Sequence, residues 1–389
     1  MARYRYVQFS DYKEGTIKAG INLGPQGYHN VKRPLLLKGW VLTEQGKVES
    51  INVDLYAKTK RSYLTIDTFE ESPDLAKKFP KLEGANRGRF SLPLNASQLP
   101  ELKDKQDFAL EFSAVIGGKS HTFKTISFLK DSYRGKAIFV VGSPRSGTSI
   151  LGNTLSHVLL NTRNFNEGHM LGLLPHLNQR LEAYYKGTAA SFLKGMMLSE
   201  TNSHLLFCQL QNVFKVHYEN IYQSGWIVDK TPGGLMLNAL PSVKQMWPQA
   251  HIIFAKRRGI ENIVSRLRKF PERSFEDHCR QWTDAMMRWH RLKADFSKTL
   301  EIDQFDIETS PNTVVNQLGR VLDLSDDQKS QMLEEFQTKR PERTRVDEEP
   351  KAISLDKVNW TNEQKQTFRK ICSVAMTTYG YSETESYYL

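Results

Sequence analysis

Cysteine is scarce in this 389-residue chain, and long apolar runs are missing. The three cysteines, Cys208, Cys279 and Cys372, stand far apart. Their number and spacing argue against a disulfide framework or a cysteine zinc site, and they fit a reducing compartment. No segment approaches the roughly 20 apolar residues of a membrane helix, and residues 1–6 carry no signal-peptide pattern. These absences predict a cytoplasmic protein without an integral membrane segment.

Long runs of basic residues are also missing, although the chain is positively charged. Lysine and arginine total 54 against 43 acidic residues, for a net charge of +11. A positive protein attracts anions. Without a run of five or more basic residues, however, a nucleic-acid-binding arm has little support. We therefore expect an anionic ligand other than a nucleic acid.

The first 130 residues show the alternation of β-strands. Ile51, Val53 and Leu55 alternate with polar residues, and the same pattern runs from Phe108 to Ile116. This period of two marks strands with one buried face. The pair Gly117-Gly118 predicts a hairpin turn at the end of the second run. We expect a β-sandwich domain over residues 1–130.

Beyond residue 131, predicted strands and helices alternate. The continuous apolar runs Ala137–Val141 and His251–Ala255 are typical of buried parallel strands. This order predicts an α/β domain over residues 131–389, with a parallel sheet flanked by helices. Helices are predicted over Phe275–Leu292, over Pro311–Leu322 and after a capping box at Thr361 and Gln364.

The segment Gly142–Ser149, with the sequence GSPRSGTS, follows the first apolar strand and precedes an apolar helical stretch. A glycine turn between a strand and a helix directs backbone N–H groups and the helix N-terminus at an anion. Arg145 adds a permanent charge, and Thr148 and Ser149 add hydroxyl donors. The alternative is a purely structural turn. We predict an anion-binding loop.

This loop differs from the loop of nucleoside-triphosphate-binding proteins. Gly142 and Gly147 have the glycine spacing of the motif G-x-x-x-x-G-K-[ST], but Thr148 stands where the motif requires lysine. The residue that would reach the β- and γ-phosphates is therefore missing from the loop. A nucleotide kinase or another NTPase of this class remains an alternative.

The loop, together with a second element, resembles the sulfotransferase family, which uses 3′-phosphoadenosine 5′-phosphosulfate (PAPS). In that family an arginine at a strand end and a serine eight residues later bind the 3′-phosphate. Arg257 and Ser265 have this spacing after the His251–Ala255 strand. The resemblance implies a P-loop-like PAPS-binding core in the α/β domain. It implies that the 5′-phosphosulfate is held by Arg145, Ser146, Gly147, Thr148 and Ser149.

The resemblance also implies catalytic residues, and it is strongest to the tyrosylprotein and bacterial types. Lys230, in the segment Asp229–Pro232, corresponds to a lysine near the transferred sulfuryl group, where Arg145 also contributes charge. Glu167, about 20 residues beyond the loop, corresponds to the base that takes the acceptor proton. His169 is the rival base. The turn after Arg257 departs from the family pattern.

From these residues we predict a PAPS-dependent sulfotransferase of bacterial kind that releases 3′-phosphoadenosine 5′-phosphate (PAP) and needs no metal. Its acceptor is a hydroxyl on a glycan, a lipid or a small alcohol or phenol. A non-catalytic anion- or glycan-binding protein is the alternative from another class. The basic segment 340–345 is predicted either as a solvated loop or as a cover over the cofactor. Residues 381–389 form either a loose tail or a packed segment, and a homo-oligomer stays open.

Overall fold

A computed structural model describes most of the chain. The described residues are 3–10, 17–23, 28–30, 35–57, 60–94, 99, 107–131, 136–160, 165, 167–188, 196–222, 226–338 and 352–389. The basic segment 340–345 lies outside them. The chain divides into two compact units, Met1–Tyr133 with Leu177–Phe214, and Arg134–His176 with Lys215–Leu389.

The strands of the first unit are antiparallel throughout. Within the described residues they are β1 (Arg3–Ser10), β2 (Ile17–Asn22), β3 (Tyr28–Asn30), β4 (Leu35–Thr43), β5 (Ser50–Tyr56), β6 (Lys60–Ile66), β7 (Arg89–Leu94), β8 (Phe108–Ile116) and β9 (Lys119–Asp131).

These strands form two sheets, in the orders β3-β1-β9-β8-β5-β6 and β2-β4-β7. Side chains from both sheets, including Leu37 and Phe90 from the smaller and Val53 and Phe112 from the larger, share one buried core. This packing is the predicted β-sandwich. At the β8–β9 hairpin, Gly117 and Gly118 have φ of 55° and 71°, the left-handed conformation that a two-residue hairpin turn favours.

The second unit contains a parallel sheet of β10 (Lys136–Gly142), β11 (Trp226–Lys230), β12 (His251–Lys256) and β13 (Thr299–Asp303). Its order is β11-β10-β12-β13. The chain thus leaves β10 on one side to form β11 and returns on the other side to form β12. This reversal beside β10 is the switch point at which open α/β sheets bind ligands, outside the carboxyl ends of the strands.

The described helices include those predicted over Phe275–Leu292 and Pro311–Leu322, and the capping box at Thr361 and Gln364 is present. None of the described helices is long and apolar enough to cross a bilayer. The α-helices are α1 (Pro73–Lys78), α2 (Thr148–Leu160), α3 (Leu174–Gly187), α4 (Ser203–Tyr222), α5 (Gly234–Met246), α6 (Gly259–Lys269), α7 (Phe275–Leu292), α8 (Gln304–Thr309), α9 (Pro311–Leu322), α10 (Asp326–Thr338) and α11 (Asn362–Thr378).

Candidate active site

The predicted site residues of the second unit follow the carboxyl ends of neighbouring strands. The loop 143–147 follows β10, Lys230 ends β11, and Arg257 directly follows β12. Because the three strands are parallel and adjacent, these ends meet at one edge of the sheet. Residues that are far apart in sequence are thereby brought to the switch point.

The loop between β10 and α2 has an irregular backbone. Gly142 has a φ of 153°, and a Cβ atom there would lie 2.2 Å from the carbonyl oxygen of Ala255 on β12. Gly147 has a φ of 87°, and Arg145, which is not a glycine, has a φ of 69°. Such left-handed residues can turn successive N–H groups toward one concave, anion-binding surface. A left-handed arginine is costly and requires support from its surroundings.

Helix α6 and its entry supply that support. Nδ2 of Asn262 donates to the Pro144 carbonyl oxygen at 3.0 Å and to Oγ of Ser146 at 2.9 Å. Nη1 of Arg257 donates to the Arg145 carbonyl oxygen at 3.3 Å. These donors hold Arg145 and the residues on both sides of it. Sequence reasoning missed Asn262. Its only signal is its place one helical turn before Ser265.

A first polar cluster joins the loop to α6. Nε of Arg145 donates to Oγ of Ser265 at 2.9 Å, and Arg257 lies beside them through its bond to the Arg145 carbonyl. Nε of Arg257 is buried and has no hydrogen-bond partner among the described residues. A buried guanidinium N–H without a partner is costly unless an acceptor reaches it. This cluster fits a phosphate, and it contains the two residues that the resemblance assigns to the 3′-phosphate.

A second polar cluster lies at the start of α2. Nζ of Lys230 is 3.4 Å from Oγ of Ser149 and 3.8 Å from Oε1 of Glu167, and the other carboxylate oxygen of Glu167 contacts Nε2 of His169. Position 148 is not a lysine, but Lys230 of the neighbouring strand lies beside the start of α2. The side chains of Glu167 and His169 are 35% and 58% exposed, so an acceptor can reach both. The structure brings the two rival bases together.

Gly152 makes room for Lys230. A Cβ atom at Gly152, on α2, would lie 2.6 Å from both Cβ and Cγ of Lys230. Real Cβ atoms essentially never approach a neighbour so closely. The aliphatic part of the Lys230 side chain therefore packs against α2 at a position that only a glycine leaves open. Gly152 lies in the apolar helical stretch predicted after the loop, and nothing in that stretch indicates its contact with Lys230.

The turn after Arg257 contains Arg258, which holds the C-terminal segment. Its guanidinium is fully buried, contacts Glu261 and donates to the carbonyl oxygens of Ile353 and Thr384, each at 2.8 Å. Arg258 thereby ties the C-terminal segment to the start of α6. Residues 381–389 consequently form a packed segment, which is one of the two arrangements that the sequence left open.

Asp303, at the end of β13, also holds the C-terminal segment 381–389. The carboxyl of Asp303 accepts hydrogen bonds from the hydroxyls of Tyr381 at 2.5 Å and Tyr387 at 2.7 Å and from the Phe305 N–H at 2.9 Å. Burial raises the pKa of Asp303 from 3.8 to about 6, although the three donors oppose this effect.

Among the described residues, no three His, Cys, Asp or Glu side chains are grouped as metal ligands would be.

One known protein family matches the part of the chain that carries these residues. A family model described as the sulfotransferase family matches residues 137–328. No curated protein matches the chain significantly.

Two solved structures are similar over part of the chain. The sulfotransferase domain from the Synechococcus PCC 7002 olefin synthase is 16% identical, covers 51% of this chain and 78% of its own, and has a TM-score of 0.35. The sulfotransferase STF9 from Mycobacterium avium is 13% identical, covers 64% and 78%, and has a TM-score of 0.38. These TM-scores are too low to carry an argument, and the fold assignment depends on the sheet order and the family match.

Proposed function

Because residues 137–328 of this chain belong to the sulfotransferase family, we propose that they transfer a sulfuryl group from PAPS to an acceptor hydroxyl. The observation that carries this proposal is the pair of polar clusters at the two ends of the loop. One cluster, around Arg257 and Ser265, fits a phosphate. The other, around Lys230 and Glu167, joins a cation to an accessible base. PAPS needs an anion site at each end of its nucleotide and a reaction centre beyond the second.

Different residues bind the two charged ends of PAPS. Arg257 and Ser265 hold the 3′-phosphate, and the buried Nε of Arg257 supplies a donor that lacks a partner among the described residues. The 5′-phosphosulfate is bound by the loop, through Ser146, Gly147, Thr148 and Ser149. Helix α2 begins at Thr148, so its N-terminus adds favourable N–H groups and dipole.

Arg145 belongs to both ends of the donor. Its backbone is part of the loop, while its side chain reaches Ser265 in the 3′-phosphate cluster. The resemblance implies a further role for its guanidinium, on the transferred sulfonate, and the bond to Ser265 engages only Nε. We assign the side chain first to the 3′-phosphate because of this bond to Ser265.

The acceptor reacts at the second cluster. Its oxygen forms a new bond to sulfur while the bond from sulfur to the bridging phosphate oxygen breaks, which yields a sulfate ester and PAP. PAPS supplies the activated sulfuryl group. Glu167 takes the hydroxyl proton, with His169 in contact as the rival base. The charge of Lys230 stabilises the negative charge that develops on the bridging oxygen.

The test is the formation of PAP from PAPS, measured by liquid chromatography with 2-naphthol, 1-octanol and N-acetylglucosamine as acceptor probes. We expect PAP together with a sulfated probe, and a large loss of rate in Lys230→Ala. Arg268→Ala is the matched control because Arg268 is an exposed cation on α6. Magnesium-dependent ATP hydrolysis in place of PAP formation would support the kinase alternative. Binding of PAPS without PAP formation would favour the non-catalytic anion-binding alternative.

A further inference from the structure

The hydroxyl of Thr231, next to Lys230, lies beneath the backbone of the segment that carries both candidate bases. It accepts hydrogen bonds from the N–H of Gly168 at 3.1 Å and of His169 at 3.2 Å, and it donates to Oδ1 of Asp229 at 2.7 Å. A hydroxyl has one donor and two acceptor positions. All three are used, and the Thr231 side chain is buried. The Thr231 hydroxyl therefore has a fixed orientation, in which it donates to Asp229 and accepts from the two N–H groups.

Asp229 fixes that direction. Its carboxyl is buried and receives the Thr231 hydroxyl on one oxygen and the Tyr218 hydroxyl on the other, at 2.8 Å. With its proton committed to Asp229, the Thr231 oxygen presents its lone pairs to the two N–H groups. Burial raises the pKa of Asp229, and the two hydroxyl donors oppose this effect. The carboxyl thus acts on the 168–169 backbone through Thr231.

The backbone at Gly168 and His169 has the conformation that these hydrogen bonds to Thr231 require. A Cβ atom at Gly168 would lie 2.1 Å from Oδ2 of Asp229, so a glycine is required for the segment to come this close. His169 has a φ of 52°, which is uncommon for a residue other than glycine. Such a conformation persists when its surroundings fix it, and the bond from its N–H to Thr231 does so.

We propose that Thr231, oriented by Asp229, is a positioning residue that holds Glu167 and His169 beside Lys230. The inference rests on the proposed function, in which one of these two side chains takes the acceptor proton. A single segment thus serves three purposes: Asp229 is the buried anchor, Lys230 is the charged group at the site, and Thr231 is the support of the base. Movement of the 167–169 backbone would separate the base from the lysine.

The structural half of the inference is tested by amide hydrogen exchange. Thr231→Val keeps the shape but removes all three hydrogen bonds, whereas Thr231→Ser keeps the hydroxyl. We expect the protection of the Gly168 and His169 amides to fall by about tenfold or more in Thr231→Val, as the loss of a hydrogen bond implies. Protection should be retained in Thr231→Ser, and the amides of β11 should be unchanged in both. Equal protection in all three proteins would overturn the inference.

Gly168→Ala tests the same contact from the other side. It leaves Thr231 and Asp229 intact but places a methyl group against the Asp229 carboxyl. We expect the His169 amide to lose its protection here as well. If Thr231→Val does not fold, this variant and Thr231→Ser still decide the question. If the His169 amide keeps its protection in Gly168→Ala, the 167–169 segment does not pack against the Asp229 carboxyl, and the inference is overturned.

The catalytic half is tested by kcat with PAPS and 2-naphthol. We expect Thr231→Val to lower kcat while the Kd for PAP stays within about twofold, and Thr231→Ser to restore the rate. The loss in the double variant with Glu167→Gln should be smaller than the product of the single losses. If Thr231→Val loses protection while Glu167→Gln and His169→Gln retain full kcat, the positioning stands and the assignment of the base fails. If instead the Gly168 and His169 amides keep normal protection in Thr231→Val while Glu167→Gln has a reduced kcat, the positioning role of Thr231 is overturned and the assignment of the base stands.

Discussion

Nε of Arg145 lies 2.9 Å from Oγ of Ser265, which joins the loop after β10 to the middle of helix α6 across 120 positions of sequence. The backbone of the same arginine is held by Arg257 at the entry to that helix. In the proposed function, the two ends of PAPS would therefore not be bound by independent elements. We expect a change in the cluster around Ser265 to alter the shape of the loop 143–147 as well.

This link predicts coupling between Arg145 and Ser265 in donor binding. A hydrogen bond to a charged group contributes about 1.5–3 kcal/mol, so Arg145→Ala should weaken PAP binding by about tenfold or more. Ser265→Ala should weaken it less. In the double variant the loss should be smaller than the sum of the single losses, because the partners act together. Isothermal titration with PAP measures all four proteins, and strictly additive losses would show that the bond does not contribute to binding.

Asn262 should be intolerant of its closest isostere. In Asn262→Asp, a carboxylate oxygen would replace the Nδ2 group that donates to the Pro144 carbonyl and to Ser146. Two acceptors would then face each other in a buried site, which costs about 1–3 kcal/mol or more. We expect Asn262→Asp to lower both the Tm and the affinity for PAP more than Asn262→Ala does. Wild-type values for Asn262→Asp would contradict the role of this side chain as support for the loop.

Gly152→Ala should reverse the usual effect of this substitution. Alanine in a helix interior is normally more stable than glycine by about 1 kcal/mol. At Gly152 the new methyl group would meet the stem of Lys230 at 2.6 Å, so we expect a lower Tm and a lower kcat. Gly187→Ala, at the end of α3, is the matched control because a Cβ atom there has no neighbour within 4 Å. A stabilised, fully active Gly152→Ala protein would show that Lys230 does not need this space.

The carboxyl of Asp303 predicts a pH dependence of stability. Its pKa is raised from 3.8 to about 6 by burial, so the folded protein holds this proton more tightly than the unfolded chain does. Its contribution to the free energy of unfolding is therefore fully present below about pH 4 and is lost as the pH rises through about 6. The difference between 3.8 and about 6 corresponds to about 3 kcal/mol.

Asp303→Asn isolates this contribution because every other titrating group is shared with the wild type. We expect the Tm of the wild-type protein, relative to that of Asp303→Asn, to fall between pH 4 and pH 7. Thermal unfolding followed by circular dichroism at several pH values provides the measurement. A Tm difference that is constant or rises over this range would contradict the raised pKa.

Much of this arrangement follows from local sequence patterns. The helices at Phe275–Leu292 and Pro311–Leu322 and the capping box at Thr361 depend on spacing within one segment, and each was predictable. The loop Gly142–Ser149 was predictable for the same reason, because strand, glycine turn and helix are consecutive. The sandwich followed from alternation and turn residues.

The supporting contacts were not predictable in this way. Asn262, Gly152 and Thr231 act on residues far away in sequence, and their positions depend on the order and register of the four parallel strands. A single sequence does not encode that register in any local pattern. Arg258 shows the same limit, since the carbonyl groups to which it donates are far away in sequence.

The proposed function requires the second unit to bind a 3′-phosphorylated adenine nucleotide. Calorimetric titration of the full chain with PAP and with AMP tests it most directly, with EDTA present and with ATP plus magnesium as the control. We predict micromolar, metal-independent binding of PAP and at least about tenfold weaker binding of AMP, because the 3′-phosphate adds charged hydrogen bonds. Arg257→Ala should abolish this preference, and Arg268→Ala should retain it. Equal affinity for PAP and AMP, or a magnesium-dependent preference for ATP, would contradict the proposed binding of PAPS.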